Sequence, residues 1–141
     1  MADTMDFLFP NVAVTAGVTV RVAVSFLPEQ SAPEAGRWFW SYHVRIENRR
    51  DEPVQLVERD WRIVDGNGRL YAVHGDGVVG ETPLIDPGDS YDYVSGCPLE
   101  TASGEMSGSY RLVDSEGAKF DVAIPHFALQ GPQPRRDFER L

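Results

Sequence analysis

From Val18 to Phe26 the chain alternates without a break. Val18, Val20, Val22, Val24 and Phe26 fall on one side, and Thr19, Arg21, Ala23 and Ser25 on the other. A period of two built from β-branched residues predicts a half-buried strand, because successive side chains of an extended chain point to opposite faces. The same period returns from Trp38 to Asn48, with Trp38, Trp40, Tyr42, Val44 and Ile46 in one phase and Ser41, His43, Arg45 and Glu47 in the other. Between Val54 and Asp65 the apolar phase switches. Val54 and Leu56 share one register, and Val57, Trp61 and Ile63 the other. One inserted residue repairs such a switch, so a β-bulge is expected near residues 57–59. Further strands are expected at 69–74, at 90–95 and at 106–114, the last with Met106, Gly108, Tyr110 and Leu112 in phase. Phe120, Val122 and Ile124 predict a final strand, which Pro125 should end because it has no N–H to pair.

The breaks between these segments carry turn chemistry. Residues 28–33 hold two prolines and read as an exposed loop, and 48–53 as a polar turn. Asp65-Gly66-Asn67-Gly68 and Asp114-Ser115-Glu116-Gly117 are hairpin turns, since Gly and Asn accept positive φ. No segment has a helical period with caps. Seven to eight short strands in one chain predict an all-β, antiparallel β-sandwich over residues 15–130. Residues 1–14 are expected to be a loose lead-in, and the proline-rich, then charged, residues 131–141 a flexible tail.

Composition narrows the function classes. A chain of 141 residues can bury a core without disulfides. Its formal charge of -9 repels phosphate backbones, so nucleic acid is not an expected partner. A single cysteine makes no internal disulfide and suits a reducing compartment. No apolar run approaches the roughly 20 residues needed to cross a membrane. Asp3 and Asp6 stand where a secretory signal would carry basic residues. A cytoplasmic protein, with no membrane contact and no cofactor, is the expectation.

Candidate chemistry gathers between His74 and Tyr110. Gly75, Gly77 and Gly80 have the spacing of a dinucleotide fingerprint, but Val78-Val79 lead to Pro83 rather than into a helix, and no βαβ unit surrounds them. Two readings remain: a strand-linking loop that needs positive φ, or a ligand-binding loop formed by Gly75, Asp76, Gly77, Val78, Val79 and Gly80, whose backbone N–H groups would cradle an anion. Asp76 and Glu81 oppose an anion unless a metal ion bridges. They are the weak metal candidates from a wider set of His74, Asp76, Glu81, Asp86, Asp89, Asp92 and Cys97. That set has too few Cys and His for zinc and no calcium-loop pattern. Pro87, Gly88 and Tyr91 read as a structural corner, with the tyrosine ring packed and its hydroxyl bonded to upstream backbone, as in fibronectin-type sandwiches. Cys97, between Gly96 and Pro98, reads as a small buried thiol. No catalytic set is assigned. Trp38, Trp40 and Trp61 read as core, or as a binding surface if one of them lies exposed beside the Gly75 loop.

Several segments together resemble the ApaG family. They are Tyr42 to Asn48, Pro53-Val54-Gln55-Leu56, the strand from Trp61 to Asp65, Gly75-Asp76-Gly77-Val78-Val79-Gly80, Pro87-Gly88, Tyr93 to Leu99 and Gly108-Ser109-Tyr110. The resemblance spans residues 18–129. It implies an immunoglobulin or fibronectin type III-like sandwich and no catalytic residues. It also implies a genetic tie to cobalt resistance and magnesium efflux. The domain's use in eukaryotic F-box proteins and in a polymerase-delta-interacting protein implies a protein-interaction module. The expected function is therefore a non-enzymatic binding module with an unidentified protein partner. The alternative is a binder, or a hydrolase, of a phosphorylated small molecule or pyrophosphate at Gly75–Gly80, with a divalent metal. A homodimer is a further expectation, because a sandwich presents edge strands.

Overall fold

A computed structural model describes residues 4–132. Nine strands follow a short helix, α1 (Thr4–Leu8). They are β1 (Asn11–Thr15), β2 (Val18–Phe26), β3 (Trp38–Asn48), β4 (Val54–Asp65), β5 (Leu70–Asp76), β6 (Leu84–Ile85), β7 (Ser90–Leu99), β8 (Ser103–Val113) and β9 (Lys119–Gln130). All pair antiparallel. The first sheet has the order β1-β2-β3-β7, and the second β5-β4-β8-β9 with β6 beside β4. Their inner faces form the core. Val18, Val20, Val22, Val44 and Ile46 are fully buried on the first sheet, as are Leu56, Tyr110, Leu112, Val122 and Leu129 on the second. The all-β sandwich read from the alternation is therefore the fold.

The ladder shifts between Leu56 and Glu58, which places the bulge where the apolar phase changes. Several segments differ from expectation: α1 and the two-residue β6 add to the expected elements, β5 runs on to Asp76, and β8 begins at Ser103. Within the expected lead-in, β1 pairs with β2, and Phe9 is buried with its ring edge-on to His43 at 4.8 Å. β7 runs on through Gly96-Cys97-Pro98 to Leu99. β9 passes through Pro125 and ends at Gln130. It is an edge strand, and its pairing shifts so that Met106 faces Phe127 while Gly108 faces Ile124. Pro125 sits in that bulge, where no ladder bond needs its missing N–H. Of the expected tail, Gly131 and Pro132 are the last residues described, and 133–141 lie outside.

Two polar clusters fix the frame. Asn48 is fully buried; its Nδ2 donates to the carbonyls of Glu52 and Ile85, both at 2.9 Å, and its Oδ1 accepts from the Arg50 N–H. Gly88 N–H donates to the Asn48 carbonyl, so this one residue ties the β3–β4 turn to the corner at Pro87-Gly88. On the outer face of the first sheet, Glu47 accepts from Arg21, Arg45 and Arg49, and Arg21 reaches Asp6 of α1 at 2.9 Å. Burial alone would raise the Glu47 carboxyl, but the three arginines outweigh it and hold it below its ordinary 4.5.

Asn48→Ala should lower stability by roughly 2–4 kcal/mol in urea unfolding, because it leaves buried backbone groups without partners. Glu47 contributes stability that is complete above pH 4.5 and is lost as pH falls through the depressed folded value. Glu47→Gln should therefore flatten the fall in the urea midpoint below that pH.

Candidate functional site

β1 and β2 lie against β9, so the two sheets meet on that side with their strands in contact. On the other side the edge strands are β7 and β5, and a cleft opens between the sheets there. The sequence explains the opening. The inward positions of β7 read Tyr91, Tyr93, Ser95, Cys97, changing from large to small halfway along. The inward positions of β5 read Tyr71, Val73, Gly75, facing Ile63, Trp61 and Arg59 of β4. Where β7 still carries Tyr93, its hydroxyl hydrogen-bonds that of Tyr110 and fills the space between the sheets. Burial pushes both phenols well above their ordinary range, so they remain neutral. Beyond them the sheets part around a cleft with a volume of about 780 Å³.

The walls are aromatic and apolar. Tyr42 and Trp61 meet edge to face at 5.2 Å, and Trp38, Tyr71, Ile63 and Met106 continue the lining toward the β3 start. Burial raises the Tyr42 phenol, and a hydrogen bond with Ser95 offsets part of that rise. Cys97 also lines the cleft; burial pushes its thiol up to about 11, so it carries its proton at neutral pH and is a poor nucleophile.

Arg59 enters this apolar setting from β4. Its Nη1 donates to the carbonyls of Asp76 at 2.8 Å and Gly77 at 3.1 Å. Opposite it is Gly75, where a Cβ would stand 2.9 Å from both Nη1 and Nη2. The first glycine of the motif thus gives the guanidinium its seat. Among the described residues no carboxylate forms an ion pair with Arg59. Sequence reasoning passed over this residue, although it lies in phase with Trp61 and Ile63 after the bulge. A charge in the inward phase of a strand is the signal that could have found it.

The rest of the motif forms a tight turn. Val78 and Glu81 exchange N–H···O bonds at 2.8 and 2.9 Å, and the two residues between them, Val79 and Gly80, have φ of +48° and +79°. The Gly77 N–H donates to the Val57 carbonyl. The amides of Gly77, Val78 and Glu81 are thus already bonded within the fold. Asp76 and Glu81 are exposed, and the Glu81 carboxylate accepts the Tyr91 hydroxyl at 2.7 Å. Tyr91 therefore bonds an upstream side chain where the corner reading expected backbone, and this bond raises its phenol. The wider acidic set is scattered. His74 pairs across the ladder with Asp60 on the outer face of the second sheet, whereas Asp92 bonds His43 and Arg45 on the outer face of the first. Among the described residues no three His, Cys, Asp or Glu come together as a metal-binding group.

The family model of the ApaG domain matches residues 28–114. Protein ApaG of Brucella canis is 51% identical over 124 residues, which cover 88% of this chain and 95% of the relative. Protein ApaG of a Bradyrhizobium species matches to the same extent. Among solved structures, a Bordetella pertussis protein called ApaA superposes with a TM-score of 0.80 at 43% identity, covering 83% of this chain and 95% of that one.

A buried, protonated thiol should react slowly. Alkylation of Cys97 by iodoacetamide at pH 8 should be about 100-fold slower in the folded protein than in urea, where the thiol returns to its ordinary range. Mass spectrometry of timed samples measures the ratio.

Proposed function

The chain belongs to the ApaG-domain family, and we propose that it acts as a non-enzymatic binding module whose recognition site is the cleft beside Trp61 and Arg59, filled by part of a protein partner. The carrying observation is the cleft itself. Its volume of about 780 Å³ lies within the range of ligand sites, and its aromatic walls with a few charged groups, Arg37, Arg59 and Glu100, have the make-up of such sites. Aromatic side chains and arginine are also the residues that dominate binding energy at protein interfaces. The protonated Cys97 offers no activated nucleophile. In this reading the implied link to cobalt and magnesium handling runs through the partner.

Arg59 also favours a second reading, a phosphorylated small molecule at Gly75–Gly80. Because the Gly77 and Val78 amides of that loop are bonded internally, such a ligand would rest on the guanidinium rather than on a cradle of N–H groups.

Val73 lies on the exposed side of the cleft opposite Trp61, so Val73→Trp should obstruct the opening while sparing the core. Affinity capture followed by quantitative mass spectrometry should recover at least one protein whose yield falls about tenfold or more with Val73→Trp, at an unchanged melting temperature. An identical set of captured proteins would contradict the cleft as the recognition site. Calorimetry with pyrophosphate, with and without Mg²⁺, tests the second reading; saturable heat lost on Arg59→Gln would favour it.

A further inference from the structure

The geometry points to a specific occupant: the cleft takes the C-terminal residue of a partner protein, its apolar side chain between the aromatic walls and its α-carboxylate on Arg59. This rests on the cleft being the recognition site and adds what is recognised.

Three observations carry it. The first is an uncommitted fork. Nη1 of Arg59 is held by the carbonyls of Asp76 and Gly77, while Nε and Nη2 have no acceptor among the described residues. A guanidinium fixed at one corner, with the other donors open, is prepared for a planar anion such as a carboxylate. The second is position. Arg59 lies directly across the ladder from Tyr110, whose hydroxyl bonds Tyr93 between the sheets. The cleft therefore ends at the arginine. It extends from there along β3 from Tyr42 to Trp38, four residues or about 13 Å. An anion at that end, with an apolar side chain lying along the aromatic wall beside it, is most simply delivered by a chain terminus, whose last residue carries both.

The third is charge. The chain carries -9 overall, Glu100 stands among the cleft residues, and Asp76 adjoins the arginine's anchor. The charged residues of the cleft lining are Arg37, Arg59 and Glu100, a net of one positive charge, which in that field suits a single negative charge and opposes the several charges of pyrophosphate or a nucleotide. Glycine gains a role here too. Gly75 leaves the space in which the guanidinium lies, so the motif serves the anion through a side chain rather than through its own amides.

The test uses the full chain labelled with ¹⁵N and N-acetylated hexapeptides ending in Phe, Leu, Trp or Ala, each as the free acid and as the C-terminal amide. Phenylpropionate and inorganic pyrophosphate serve as further probes. Titrations should show at least one apolar acid peptide shifting the Arg59 Nε–H and the Gly75 and Gly77 amides in a saturable way. Its amide should bind at least about tenfold more weakly. Arg59→Gln should abolish the difference between acid and amide, and Arg59→Lys should restore part of it. Gly75→Ala, which crowds the guanidinium, should weaken the acid and leave the amide unchanged. Retained melting temperatures identify these as binding effects.

Equal binding of acid and amide at the cleft would overturn the carboxylate while leaving the cleft as a site. Shifts confined to residues elsewhere, or none with any peptide, would overturn the cleft as well. Binding of phenylpropionate without any peptide would replace the chain terminus by a small acid. Binding of pyrophosphate alone would replace the carboxylate by phosphate. Concentration-dependent shifts of the same groups without peptide would assign the cleft to a second copy of this chain. Each of these last three results overturns the inference.

Discussion

The guanidinium of Arg59, held between two sheets, constrains everything around it. A half-buried charge against apolar walls is stabilised when its donors find acceptors. Here the turn after β5 supplies two carbonyls, and Gly75 supplies the missing volume. The bulge at Leu56–Glu58 is part of the same arrangement, because it moves residues 59, 61 and 63 into the inward phase. Without the phase change Arg59 would face solvent and Trp61 would leave the core. The glycine motif, the bulge and the cleft are thus parts of one local solution to placing a half-buried cation at the open side of a sandwich.

The rest of the fold holds that solution in place. Tyr93 and Tyr110 brace the sheets apart at the cleft's end, where burial keeps them neutral. Asn48 locks the β3–β4 turn to the Pro87-Gly88 corner from which β7 departs. The arginines around Glu47 bind the N-terminal segment over the opposite face of the first sheet. Small side chains at Ser95 and Cys97 then leave the space that large ones fill one step earlier.

Much of this was legible in the alternation of the chain. The strands at 18–26, 38–48 and 54–65 and the bulge follow from period and phase, since a one-residue slip would turn every core side chain outward. The glycine motif was legible as a turn because no helix follows it. Other features depend on context that local sequence does not carry. Pro125 sits inside β9 because that strand is an edge with a bulge, and edge position is a property of topology. β1 has only five residues and is held by β2 and by Thr15, whose hydroxyl accepts the Ala123 N–H. Tyr91 looked like a corner tyrosine, but Glu81 on the neighbouring turn offered a closer acceptor. Arg59 carried a visible signal, a charge in phase with Trp61, which gained meaning only once the inward face of β4 was fixed.

The glycine motif seats Arg59 in the cleft. Side-chain NMR of the ligand-free protein addresses this most directly. Nuclear Overhauser contacts are expected from the Arg59 guanidinium to the Gly75 α-protons and the Tyr42 ring, with restricted rotation about the Arg59 Nε–Cζ bond. A guanidinium that rotates freely and shows no contact with Gly75 would contradict it.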